Sequence, residues 1–202
     1  AGVRVCFVAR GWAAVGGLFI FWADVQLVGH RGLFGQGAVW QIDIASATVG
    51  DTSFSIPSAQ KVVGSFGTES ILGTVATAND IAFANRRGWF SLGPEKNFYG
   101  ILRTNEKSSL IRPYWRSLVS NKISSIAAYY YDAKIFISVP TSSTGNDKIV
   151  IFDTERGNWS VDWSIGAKQF LEYTDTSGNS HFLYIPLTGT KYYYPQTTKV
   201  QG

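Results

Sequence analysis

K-I-V-I-F-D-T-E-R-G-N-W-S-V-D-W, residues 148 to 163, is the stretch whose reading decides the fold. Four apolar residues, Ile149, Val150, Ile151 and Phe152, form a strand that runs into Asp153. A polar turn follows, and a second strand opens at Trp159. The chemistry suits a tight hairpin: the Asp153 carboxylate accepts from turn amides, Gly157 takes positive φ, and Trp159 folds back on the first strand.

Weaker copies lie upstream. A-V-W-Q-I-D-I at 38 to 44 is a strand ending near an aspartate. N-D-I-A-F-A-N-R-R-G-W-F-S-L at 79 to 92 reads as strand, Arg-Arg-Gly turn and aromatic strand. Recurrence every 40 to 50 residues or so predicts repeated β units, as in the blades of a propeller. Helical spacing is not sustained in any window, whereas Val, Ile, Phe, Tyr and Thr punctuated by Gly, Ser, Asn and Asp predict strands and turns. Strands are expected at 4 to 9, 18 to 22, 38 to 44, 70 to 75, 81 to 84, 88 to 91, 125 to 131, 134 to 140, 148 to 152, 158 to 163, 170 to 174, 180 to 186 and 190 to 194. Hairpin turns are expected at 131 to 133, 142 to 147, 154 to 157 and 175 to 179. Residues 93 to 121 alternate poorly and read as a long excursion with one short helix near 113 to 118. The expected fold is all-β and propeller-like, with antiparallel four-stranded blades in a single domain. Residues 1 to 57 are a poorly matched first blade, 58 to 121 a second with the excursion, 122 to 165 the best-defined, and 166 to 202 a partial one. So few blades do not close a propeller, which predicts an incomplete chain or closure against partners.

Composition narrows the function classes. The 202 residues are 45% apolar and 16% charged, too apolar for disorder. The most apolar run, 11 to 28, is broken by Asp24 and Gln26. It suits two buried strands around Gly16 and Gly17 better than a membrane span. Arg4 and Arg10 precede it as in a signal peptide, without a small-x-small cleavage site. Cys6 is the sole cysteine, so no disulfide forms within these residues. The absence of methionine predicts a processed product or a fragment.

With 38 to 44, 79 to 92, Y-Y-Y-D-A-K-I-F-I-S-V-P at 129 to 140 and I-V-I-F-D-T-E-R-G-N-W-S at 149 to 160 in view, the chain resembles the β-propeller virion proteins of tailed phages. These are the packaged-DNA stabilisation and tail-nozzle proteins of short-tailed phages. Their pattern is an apolar strand before a D-G or R-G turn, a tyrosine-rich strand ending in Val-Pro, then D-T-x-x-G-x-W. The resemblance covers residues 38 to 185, and kelch-type propellers share the Asp-to-Trp spacing. It implies a non-enzymatic structural component of a phage tail, located in the virion. Its partners would be copies of itself in a ring, other tail or adaptor proteins, and genomic DNA in the channel. No cofactor, metal or catalytic residue is implied. A carbohydrate- or receptor-binding propeller is the alternative.

The residues offer little other chemistry. His30, in G-H-R-G, reads as a turn residue and His181 as a surface strand position; no nucleophile-elbow sequence accompanies them. D-T-E-R-G-N-W departs from the S-x-D-x-G-x-x-W box of sialidases in both spacings and lacks its serine. Gly29, Gly32, Gly35 and Gly37 are dense, but no Gly-Lys-Ser/Thr follows. Charge is the exception. Arg86, Arg87, Lys96, Arg103, Lys107, Arg112, Arg116 and Lys122 face only Glu95 and Glu106, so six net positive charges sit in a segment of a chain whose total is +4. Aromatic residues interleave with them. The segment is a candidate contact for an acidic neighbouring subunit or for DNA phosphates, or else a solvated loop over packed aromatics.

Overall fold

The computed structural model describes the backbone of residues 13–15, 18–27, 30–35, 39–49, 52–63, 67–78, 80–94 and 102–188. The strands expected at 4 to 9 and 190 to 194, with Cys6 and Lys96, lie outside these residues. The fold is all-β, and the strands form antiparallel meanders in which chain neighbours are sheet neighbours.

The first sheet holds five strands, β1 (Ala13–Val15), β2 (Leu18–Leu27), β3 (His30–Gly35), β4 (Val39–Val49) and β5 (Thr52–Val63). The strand pair expected around Gly16 and Gly17 is present as β1 and β2. His30 is not a turn residue: it opens β3, opposite Leu27. With β2 and β4 hydrogen-bonded on its two sides, a glycine-dense run of low strand propensity is held extended.

The second sheet comprises β6 (Thr74–Ala76), β7 (Ile81–Asn85), β8 (Gly88–Pro94) and β9 (Leu102–Glu106). The strand expected at 70 to 75 starts only at Thr74, because the residues before it bond elsewhere. The Thr68 hydroxyl donates to the Ser70 carbonyl at 2.6 Å, the Ser70 hydroxyl donates to the Ile126 carbonyl, and the Gly73 amide donates to Ser70 Oγ. The excursion expected at 93 to 121 contributes β9, which pairs with β8 from Phe90↔Glu106 to Pro94↔Leu102. The short helix is present as α1 (Arg112–Ser117), with Pro113 in its first turn, where a missing N–H costs nothing.

The third sheet is β10 (Ala127–Tyr131), β11 (Lys134–Val139), β12 (Lys148–Asp153) and β13 (Asn158–Trp163); β14 (Ala167–Thr174) and β15 (Ser180–Pro186) form a hairpin. The decisive turn is built as its residues predict. Asp153 Oδ1 accepts from the amides of Glu155 at 3.0 Å and Arg156 at 2.9 Å, and Gly157 has φ +67°. The amide donated by Arg156, chiefly, holds the Asp153 carboxyl below its ordinary pKa.

Strand alternation gives the third sheet two buried faces. Ile135, Ile137, Val139, Val150 and Phe152 pack with Val75, Ala82, Ala84 and Trp89 of the second sheet and Trp115 of α1. Phe136, Ile149 and Ile151 point the other way, against Phe170, Phe182 and Tyr184 of the last hairpin. A bulge lies between Ile149 and Ile151: Ile151 opposes Ser160, whereas Ile149 opposes Trp163. The extra residue reverses the parity of β13, so Trp159 faces the second sheet and Trp163 the hairpin.

Trp159 is half-buried and folds back on the first strand, as its turn predicts, and it also meets the neighbouring second sheet, while Ile149 and Ile151 lie on the opposite face. It packs on Phe152 with ring centroids 5.0 Å apart, and its indole N–H donates to the Lys107 carbonyl at 2.9 Å. Trp159→Ala is expected to cost about 3 kcal/mol, read as a lower denaturation midpoint at unchanged m-value. A loss below about 1 kcal/mol would show that the ring holds nothing together.

The Tyr129 hydroxyl donates to Glu172 Oε2 at 3.1 Å across to the last hairpin. Burial, then the Glu172 charge and hydrogen bond, raise its pKa from 10.0 to about 12. A raised folded-state pKa means that the contribution to stability is complete below pH 10 and is lost as pH climbs towards 12. Phenolate absorbance should therefore show a late-titrating tyrosine that Tyr129→Phe removes. An alkaline titration identical in the variant and the parent would refute the assignment.

Candidate functional site

Among the described cations of the basic segment, Arg86 and Arg112 are held in ion pairs. Arg86 sits in the β7–β8 turn and chelates Glu69, donating from Nε and Nη2 at 3.0 and 2.8 Å. Partial burial pushes the Glu69 carboxyl up, but the Arg86 hydrogen bonds and charge outweigh it and hold the pKa below the ordinary value. Arg112 pairs with Glu106 at 2.6 Å, fastening α1 to the end of β9. Arg87 is exposed in the same turn as Arg86, Arg103 lies on β9 opposite Gly93, Arg116 is exposed on α1, and Lys122 is half-buried in the turn of Ser120–Ser125. Leu110, between these cations, is 75% exposed.

Lys107 has a different setting. Its amide donates to the Trp89 carbonyl at 2.8 Å and its Nζ lies 3.9 Å from Asp80 Oδ2. Both side chains line a cleft of about 340 Å³ between the second and third sheets. Each wall follows from local chemistry. On β8 alternation sends Trp89 and Ser91 to the cleft side, while Phe90 stacks on Phe83 behind, centroids 5.9 Å apart. Asp80 is presented by a closed turn, in which the Thr77 amide and hydroxyl both donate to the Asp80 carbonyl, at 2.8 and 3.0 Å. Gly93 makes room for its carboxylate, since a Cβ there would lie 2.1 Å from Asp80 Oδ1.

The opposite wall comes from the third sheet. Ala133 and Asp132 form the β10–β11 turn with φ of +57° and +49°, the mirror-image geometry that fits two-residue hairpins. The Ala133 carbonyl accepts from the Thr154 amide at 2.9 Å and its hydroxyl at 2.7 Å. This bridges the two turns that carry Ala133, Thr154 and Glu155 to the cleft. Trp89 is fully buried and Ser91 is 2% exposed, yet Trp89 Nε1 and Ser91 Oγ have no hydrogen-bond partner. Such groups normally are bonded, so two at one cleft are unusual.

Among the described residues, no three His, Cys, Asp or Glu side chains gather, and no helix is long and apolar enough to cross a membrane. His181 lies on β15, as expected of it, and its Nε2 is 2.9 Å from Asp175 Oδ2. That contact, chiefly, and amides of the 175–179 turn hold the Asp175 carboxyl far below its ordinary pKa. The contact belongs to a hairpin turn. Reading the sequence missed the cleft, although Asp80 and Glu155 both stand in the repeated strand-and-turn stretches at 79 to 92 and 149 to 160. That coincidence is the signal that could have found it. No protein-family model matches the chain, and no curated protein is significantly similar to it.

Proposed function

We propose that this chain is a non-enzymatic structural component of a phage tail, a propeller-like subunit that forms a ring as a nozzle or DNA-stabilising element. One observation carries this reading: the second sheet, the third sheet and the last hairpin stack face to face, and the third sheet has both faces buried. Blades of a propeller pack in this way, each needing a neighbour on either side. A ring of copies would continue this face-to-face packing from one subunit to the next. The exposed Leu110, two residues ahead of Arg112 in the basic segment, supports a protein partner for that segment ahead of DNA, because phosphate contacts have no use for an apolar side chain.

Native mass spectrometry with light scattering tests the reading. A single closed cyclic species is expected at micromolar concentration, and Leu110→Ser with Arg116→Ser should shift it towards monomer while leaving Tm unchanged. A monomer that persists at high micromolar concentration would overturn the ring. DNA retention, if it uses Arg116 and Lys122, weakens steeply with salt as counterions are released.

A further inference from the structure

We propose that the cleft between the second and third sheets binds one ring of a carbohydrate, a neutral hexose or an amino sugar. The inference does not depend on ring assembly or on a tail location. Its first support is the pair of buried polar groups with unmet hydrogen bonds, Trp89 Nε1 and Ser91 Oγ, on a wall of the cleft. A buried donor without a partner costs about 1 to 3 kcal/mol, which a hydroxyl-bearing ligand would offset by accepting from both.

Its second support is the combination of charge and size. Asp80 and Glu155 outnumber Lys107, so the cleft disfavours phosphates and carboxylates and accepts from hydroxyl or ammonium donors. Its volume of about 340 Å³ stands at the low end for small-molecule sites, which run from about 300 Å³, and suits one sugar ring rather than a nucleotide. The apolar remainder of the wall includes Tyr130, Ile135 and Phe152, against which the C–H face of a pyranose packs. Asp80 and Lys107 lie 3.9 Å apart, so an acceptor and a donor stand close enough to engage adjacent hydroxyls.

Saturation-transfer NMR and calorimetry on the full chain, with glucose, galactose, N-acetylglucosamine and glucosamine as probes, test this. Saturable binding of at least one is expected. Ser91→Ala and Trp89→Phe should each weaken it about tenfold, the effect of losing one hydrogen bond of about 1.4 kcal/mol. In the absence of sugar, Ser91→Ala should leave Tm unchanged or higher, because the hydroxyl it removes has no partner. Lys168→Ala, on the exposed side of β14, serves as the unaffected control. Binding of none of the four sugars overturns the proposal, as does undiminished binding by both variants. Preference for gluconate or glucose 6-phosphate over glucose overturns the charge argument and the ligand class with it. A fall in Tm for Ser91→Ala overturns it too, since the hydroxyl would then be serving the fold.

Discussion

Trp115→Ala is expected to lower the unfolding free energy by about 4 kcal/mol, among the largest effects of any single substitution in this chain. Trp115 is 1% exposed and is the one buried side chain of α1. Its ring lies 6.2 Å from that of Trp89, centroid to centroid, and its N–H donates to the Asn85 carbonyl at 2.9 Å. A helix of six residues has no stability of its own, so this ring is what holds α1 on the second sheet. Truncation leaves a cavity and an unmet carbonyl together. Trp115→Phe, which keeps most of the volume, should recover more than half of the loss. Chemical denaturation of both variants checks the pair, and a loss below about 1.5 kcal/mol for the alanine variant would place the helix outside the cooperative core.

Gly166→Ala is expected to cost about 3 kcal/mol, through a different cause. A Cβ on Gly166 would sit 1.7 Å from the Asn146 carbonyl oxygen and 2.8 Å from the Asp147 Cα, and these are backbone atoms that no rotamer change can move aside. The junction it would displace is densely bonded. Asn146 Nδ2 donates to the carbonyls of Ser125 at 2.5 Å and Ala167 at 3.1 Å, and its Oδ1 accepts from the Ser125 hydroxyl at 2.9 Å. The Ala167 amide donates to Ser138 Oγ at 2.8 Å. Pushing the two backbones apart breaks several of these bonds at once in a buried place, where each unmet group is costly. Thermal unfolding of Gly166→Ala beside Gly178→Ala is the measurement. Gly178 has φ +85° and open space around its Cβ, so its variant reports backbone strain alone. Equal losses would mean that the close approach at Gly166 is without consequence.

Legibility in the sequence followed local chemistry. The β7–β8 and β12–β13 hairpins were readable because each combines an apolar strand, a turn glycine and an aromatic return strand within about 15 residues. L-R-T-N-E of β9 was not, because its polar composition carries no strand signal and its conformation is imposed by the β8 edge. The same holds for β5, where Pro57 and a run of polar residues hide a strand paired along its length with β4. The basic segment was legible as charge but not as pairing: Glu69, which neutralises Arg86, stands 17 positions upstream, outside any window that the charge count used. The cleft was least legible of all, since its walls gather residues from the facing sides of two sheets, and an unmet hydrogen bond has no sequence signature.

The double-sided third sheet has a consequence for how the protein opens. Phe136 and Ile137 are neighbours on β11 yet belong to separate apolar clusters. No motion can expose the amides of β11 to exchange with solvent deuterium without first opening β10 or β12, and both of those are themselves covered on two sides. Among the second and third sheets and the last hairpin, the β11 amides are therefore expected to exchange slowest, and their protection measures the free energy of opening that unit. The β14 and β15 amides exchange through a smaller, local opening, which leaves the second and third sheets joined. Deuterium uptake would thus divide residues 67 to 186 into a detachable hairpin and an all-or-none pair of sheets, a partition set by the alternation of a single strand.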